Sequence, residues 1–457
     1  MPENKTIGIV QLGTNHQVME TLIAFKGFSK NFPAIHKTII LKSEGIVLDT
    51  LLREEFENII YIQNIDPSSL EKSITSLKNE FLDISFSVLI NLTYSKSSGY
   101  LCSFIKSTFK LGFRYSKSNN LIIDDSWSRY VYSVIMGDNL NPFSIIDIFK
   151  SIIGNKKPIT AFSSLQIKKV ILNLEREKIT LIQNVFPKCE IILIGEEDTS
   201  LNLLDFLKSD LKDCLYIGKY SIYSLLCSYK DVPCINFYSQ KKDLFLFMPH
   251  GQSNFTALNS IPEISIVNLI EKGKEEGFFK TYQGNGYFIH NKSTQDAPIE
   301  IADLFQEFYK YAFEFCFEDI EELIKFDSLP ESTLIELDHY EKATKNLRDL
   351  IGLGKRYAIF IIQELTDSSP DFKKIKEYGD KIDEIDTLSA KLKVAYPCLG
   401  SAIDYFHFSR LMAQGENLND ITQNVFFIFE EYFNFLEIIL ELINNIKSRF
   451  TIIEKGK

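Results

Sequence analysis

Three short stretches of this chain hold residue types that could do chemistry. The first is Gly13-Thr14-Asn15-His16-Gln17, a polar loop closing the apolar run at 6–12. Imidazole, with an unperturbed pKa of about 6.5, can take a proton near neutrality; the neighbouring glutamine cannot. The second is the loop from Asn91 to Ser98, rich in hydroxyl and amide groups. The third is Gly218-Lys219-Tyr220-Ser221, a turn ahead of an apolar run to about 229. Ser221 is a natural helix cap. A helix starting there points free N–H groups and the positive end of its dipole outward, which suits a diphosphate. Asp124 and Asp125 stand together before another helical pattern, where paired acids suit a helix N-terminus. They remain alternatives to His16 as a base.

Other chemistries find no pattern. The six histidines (16, 36, 250, 290, 339 and 407) show no HExxH or similar spacing, so no metal site is expected. Neither GxSxG nor GxxxxGK[ST] occurs. Seven cysteines, none in CxxC spacing and most in apolar runs, read as buried reduced thiols.

The elements that must position the three stretches follow from periodicity. Apolar runs at 6–12, 38–41, 59–62 and 86–91 read as buried strands, with helical patterns at 17–31 and 68–81. Alternation of this kind implies a parallel α/β sheet, whose ligands bind at the C-terminal strand ends. The loops at 13–17 and 91–98 lie at such ends. Residues 122–149 read as helical with an Asn-Pro turn, and 152–158 as a linker. A second unit follows: an apolar stretch at 159–162, a long helix at 167–186, a strand at 190–195, a helix at 201–207, then strand, turn, helix and strand across 216–237. Residues 243–265 hold a Pro-His-Gly turn, and 271–295 read as surface loop. From about 301 the pattern becomes all helical, at 301–324, 330–350, 355–365, 372–392, 402–413 and 421–446. An antiparallel bundle is expected there. Its aromatic-rich faces read mainly as core.

The 457 residues suggest two or three domains. A formal net charge of -11 disfavours nucleic acid as the main partner. No uncharged apolar run reaches the roughly 18 residues that span a bilayer. The N-terminal residues lack the basic and apolar regions of a secretory leader, so a cytoplasmic location is expected, with peripheral contact at an inner membrane as an option.

Four places together resemble glycosyltransferase family 9, the lipopolysaccharide heptosyltransferase-like group, in its long bacterial form with a helical extension. IGIVQLGTNHQV at 7–18 resembles the family's opening strand and loop. Asn91–Ser98 with the later Gly-Phe at 112–113 resembles its N-L-[ST]-x-S segment. DSWSRYVYSVIMGDNLNPFSIID at 125–147 resembles W-S-R-Y … L-N-P-F-x-x-x-D, and 217–237 resembles the donor segment. The resemblance implies a GT-B-like pair of Rossmann-like domains with an all-α C-terminal extension. The expected boundaries are 1–155 on the acceptor side, 156–298 on the donor side and 299–457 for the helices. It implies inverting, metal-independent transfer from a nucleotide sugar, with no cofactor, to a glycan, lipopolysaccharide or protein acceptor.

Carried over by position, Gln17 falls where the family has its general-base Asp, and His16 where it has Gly. On the donor side Gly218 keeps the family glycine, Tyr220 replaces Asp and Ser221 replaces Thr. Ile222 and Leu225 replace a Gly and a His. Tyr220 and Tyr223 would fill space meant for the nucleotide sugar. Lys168 resembles the lysine of a K-x-W-P region, with Val170 at the Trp position. Asn91, Ser95, Ser98, Asp125 and Arg129 are the expected acceptor-side residues. The scaffold signature is thus kept while both chemistry-bearing motifs are eroded. The expectation is a degenerate transferase serving as a binding or assembly module, with a protein partner on the helical region. The alternative is an active transferase with a diverged donor.

Overall fold

The computed structural model describes residues 5–42, 48–62, 81, 84–116, 120–155, 167–174, 176–194, 203–238, 243, 246–247, 255–258, 300–318 and 329–455. The helix expected at 68–81, the stretch at 159–162, the turn at 249–251 and the loop at 271–295 lie wholly or largely outside these residues.

The first half is a five-stranded parallel sheet. Its strands are β1 (Thr6–Gln11), β2 (His36–Lys42), β3 (Asn58–Ile62), β4 (Ser85–Asn91) and β5 (Lys106–Gly112), in the order β3-β2-β1-β4-β5. Ile9 of β1 stands opposite Ile39 and Ile90, and all three are buried. Strands covered on both faces need such continuous apolar runs. Helix α1 (Asn15–Phe25) is buried from Val18 through Phe25. The short α2 (Phe28–Asn31) follows a glycine in the left-handed region, Gly27 at φ 78, which ends the helical pattern expected through residue 31. Helices α3 (Asp49–Glu55) and α4 (Lys96–Phe104) follow, then a two-stranded ribbon of β6 (Arg114–Tyr115) and β7 (Leu121–Ile122).

The second half repeats the design with a different winding. Strands β8 (Lys169–Asn173), β9 (Glu190–Leu193), β10 (Cys214–Lys219), β11 (Cys234–Tyr238) and β12 (Phe255–Leu258) run parallel in the order β12-β11-β10-β8-β9. The long helix expected at 167–186 is instead β8 followed by α7, and α7 (Arg176–Val185) begins only after the strand. The run Lys-Val-Ile-Leu-Asn is short, apolar and β-branched, and its centre is fully buried between β9 and β10. A run of that length satisfies either period, and sheet pairing decides it. Helix α8 (Leu203–Lys208) precedes β10, and α9 (Ile222–Tyr229) starts where Ser221 caps it.

Both sheets belong to one compact unit, residues 1–125 and 143–293. Helix α6 (Ile145–Ile153) packs on α1 within it. The stretch 126–142, placed with the N-terminal domain by sequence, groups with the C-terminal helices in a second unit. It forms α5 (Ser126–Tyr130) running into a π-helical turn at Val131–Ile135.

That second unit also holds α10 (Ile301–Glu318), α11 (Glu331–Thr366), α12 (Phe372–Ala395), α13 (Gly400–Leu411) and α14 (Leu418–Lys455). Helix α11 joins two segments that the sequence separates at Gly352 and Gly354. Nine of its buried positions, 333, 337, 340, 344, 347, 351, 354, 358 and 361, follow one another in alternating steps of four and three, with Glu341 and Ala343 buried beside them. This is a coiled-coil seam. Its partner α14 runs antiparallel, since Lys355 pairs with Glu430 at 2.9 Å, Arg348 with Glu437 at 3.1 Å and Glu341 with Lys447 at 2.6 Å. Aromatic rings close the core. Phe406 stacks on Tyr432 at 4.2 Å, and Tyr130 meets Phe313 edge-on at 4.9 Å.

Candidate functional site

Each sheet has one point where its strand order reverses, and in open α/β sheets ligands bind at that crevice beyond the strand C-termini. In the first sheet the point lies between β1 and β4, and in the second between β8 and β10. Polar residues end all four strands there: Gln11, Asn91, Asn173 and Lys219.

On the first sheet these groups are spent on one another. Gln11 Nε2 donates to Thr21 Oγ1 at 2.9 Å, and its Oε1 accepts from Gly13 N and Thr93 Oγ1. Asn91, fully buried, donates to Phe113 O at 2.6 Å and Ser98 Oγ at 3.1 Å, and accepts from Thr93 N at 3.0 Å. Ser95 caps α4 by accepting from Ser98 N, and Ser98 Oγ donates to Thr93 O at 2.5 Å. The three acceptor-side candidates Asn91, Ser95 and Ser98 therefore brace the β4–α4 loop. Gln17 turns back over the β1–α1 loop, its Oε1 accepting from Thr14 N at 3.0 Å. It caps α1.

On the second sheet Asn173 Nδ2 donates to Tyr216 Oη at 3.2 Å and Ser221 Oγ at 3.3 Å. Tyr216 donates to Lys219 O at 2.7 Å. Ser221 and Ser224 cap reciprocally: Ser221 Oγ accepts from Ser224 N, while Ser221 N donates to Ser224 Oγ at 3.0 Å. Gly218 is needed for packing. A Cβ there would sit 2.7 Å from the Asn173 carbonyl oxygen.

The two halves meet across α1 and α9. Tyr220 Oη donates to Glu20 Oε1 at 2.6 Å. The Tyr220 ring lies 5.1 Å from Phe247, 6.0 Å from Tyr238 and 6.4 Å from His16, centroid to centroid. Glu20 is 2% exposed, and burial pushes its carboxyl up to about 7, with the Tyr220 hydroxyl opposing the rise. His16 stands one turn earlier on the same face of α1. It is exposed by area, yet the protein around it disfavours the imidazolium, so its pKa falls below 6.5. Further along, Lys26 Nζ donates to Tyr229 O at 2.5 Å and pairs with Asp231 at 2.6 Å. Tyr229 donates to Glu54 at 3.1 Å, and Lys230 pairs with Glu54 at 3.2 Å.

The structure brings His16, Gln17, Gly218, Tyr220 and Ser221 to the facing crevices. It does not bring Lys168. That residue precedes β8, at the opposite end of the sheet, and pairs with Asp213 at 2.8 Å with 65% of its side chain exposed. Asp125 accepts from Gly112 N at 2.8 Å, and Asp124 pairs with Arg114 at 2.6 Å. Both acids thus hold the β5–β6 region. Arg129 belongs to the helical unit, where its charge lowers the pKa of Glu431 against the dominant effect of burial. Among the described residues no group of three or more His, Cys, Asp or Glu is placed to hold a metal. A cavity of about 470 Å³ lined by Phe206, Asp210, Lys212, Leu226 and Lys230 opens beside the residues leading into β10, away from the crevice.

Neither Glu20 nor Asn173 stands in a motif. The signal for Glu20 is a lone acid in the otherwise uncharged run 17–25, and for Asn173 an amide ending a buried apolar strand.

No protein-family model matches the chain, and no curated protein sequence does. Among solved structures it is similar to heptosyltransferases of glycosyltransferase family 9. The E. coli heptosyltransferase WaaC with ADP aligns at TM-score 0.42 and 10% identity, over 58% of this chain and 99% of that one. The glycosyl transferase family 9 protein from Veillonella parvula DSM 2008 aligns at 0.42 and 12%, over 60% and 89%. A UDP-N-acetylglucosamine 2-epimerase aligns at 0.36 and 11%, over 72% and 100%. At such scores these likenesses assign no role to any residue.

Proposed function

We propose that this chain is a glycosyltransferase family 9-like protein whose nucleotide-sugar crevice is filled by its own side chains, and that it serves as a binding or assembly module. The observation that carries this reading is Tyr220, which reaches from the start of α9 to Glu20 of the facing half with Tyr238 and Phe247 packed on its ring. A nucleotide sugar approaching the N-terminus of α9 meets phenol where the family pattern has a carboxylate and glycines. Gln17 supports the same reading, because its amide is held in a cap and has no basicity. The helical unit is the proposed surface for a protein partner. Among the described residues no helix is long and apolar enough to cross a membrane. A cytoplasmic location with peripheral membrane contact is part of the proposal.

A second reading is favoured by one observation: burial lowers the pKa of His16 near the crevice, which favours the free imidazole that a general base needs. It makes the chain an active inverting transferase with a diverged donor and a glycan, lipopolysaccharide or protein acceptor. Calorimetric titration with ADP, UDP, GDP, CMP and the ADP- and UDP-sugars separates the two. The first reading expects no saturation by about 1 mM ligand. Saturable binding of one nucleotide overturns it, and loss of turnover in His16→Ala then identifies the base.

A further inference from the structure

We propose that Glu20 and Tyr220 form a pH-sensitive latch between the two Rossmann-like halves, closed when the Glu20 carboxyl is neutral and released when it ionises. The geometry is that of a tie across an interface. Glu20, 2% exposed, is on α1 of the first half, and the half-buried Tyr220 on the β10–α9 turn of the second donates to it at 2.6 Å. The cross-half ion pairs, Lys26 with Asp231 and Lys230 with Glu54, lie at the exposed rim, while the buried Tyr229 ties Glu54 through its hydroxyl and Lys26 through its carbonyl. Exposed pairs of that kind add little.

Among the described residues no cation pairs with Glu20. On α1 itself the nearest titratable neighbour is His16. The β10–α9 turn supplies Lys219 and Tyr220, α9 supplies Tyr223, Cys227 and Tyr229 with Lys230 just beyond it, and β11 supplies Cys234 and Tyr238 with Asp243 behind it. Helix α6, packed on α1, carries Asp147 and Lys150; α3 carries Asp49, Arg53, Glu54 and Glu55; β1 carries none. Of these only Tyr220 acts on the Glu20 carboxyl, and burial outweighs it. Tyr220 itself stays protonated, its pKa raised well above 10 by burial and by Glu20.

The sign follows from linkage. With the halves closed the carboxyl titrates near 7; in water it returns to its ordinary 4.5. The open form binds fewer protons in between, so opening is favoured as pH rises from about 4.5 to 7. His16 acts in the opposite sense, since its lowered pKa favours closure as it deprotonates.

Amide hydrogen exchange of the full chain tests this, read as protection factors for α1 and α9, corrected for intrinsic exchange, between pH 5 and pH 8. The opening constant of the native protein should rise at least about tenfold over that range. In Glu20→Gln, which keeps an acceptor but no charge, most of that rise should disappear, leaving the smaller part due to Glu55, whose pKa burial also raises. Tyr220→Phe removes the bond that favours the carboxylate, so its transition should move to higher pH. A native protein with no pH dependence, a Glu20→Gln protein that keeps most of the rise, or a Tyr220→Phe protein with an unmoved midpoint would each overturn the latch.

Discussion

At the residue scale, the polar groups at the first switch point are structural joints. Asn91 shows this most plainly, because one buried amide serves three partners on three segments. Asn91→Ala should take the amide donor from Phe113 O and the acceptor from Thr93 N, and cost about 3 kcal/mol. Urea unfolding checks it, and a midpoint within error of the native one would show that these bonds are replaceable. The same residues illustrate what the sequence made legible. The loops at 13–17 and 91–98 were recognisable as strand-end loops, since apolar runs point to them. That their side chains face inward was not, because an amide reads alike whether it waits for a ligand or satisfies a neighbour. Glu20 escaped notice for a related reason. Its importance comes from Tyr220, two hundred positions away, and no local period reports that distance.

At the element scale, the seam between α11 and α14 depends on small residues. A Cβ on Gly354 would stand 2.7 Å from the Phe429 ring, whereas one on Gly379 of α12 meets nothing within 4 Å. Gly354→Leu should therefore destabilise by about 2 kcal/mol through overpacking. Gly379→Ala should stabilise by roughly 0.5–1 kcal/mol through helix propensity alone. Thermal unfolding of the two variants side by side checks the contrast, and equal shifts would contradict it. The glycine pair also explains why α11 reads as two helices from sequence. Propensity breaks the pattern at 352–354, while the ring of Phe429 fills the gap that glycine leaves. Tertiary packing likewise decides β8, whose three central apolar residues fit a helix until β9 and β10 flank them.

At the scale of the whole molecule, the joint between the halves rests on its centre. Lys26 and Asp231 are 34% and 59% exposed. Lys26→Ala should accordingly lower stability by no more than about 1 kcal/mol, with a melting temperature close to that of the native protein. A loss of several kcal/mol would move the weight of the interface to its rim. The two sheets were legible as separate βα alternations, and the change to helices near 301 was plain. The assignment of 126–142 to the helical unit was not, because a helix that leaves one body for another carries no mark of it in composition.

That crossing has a consequence for synthesis. Tyr130, Val131 and Val134 are buried among side chains that follow in the chain by more than 150 positions, Phe313 and Tyr405 among them. On a ribosome adding about 5–20 residues per second, they emerge on the order of 10–50 s before the helices that cover them. For that interval an apolar, aromatic segment hangs from a half-built body with nothing to shield it. A chaperone that binds such segments on nascent chains should be found most densely on this protein between the exit of residue 142 and the completion of α13.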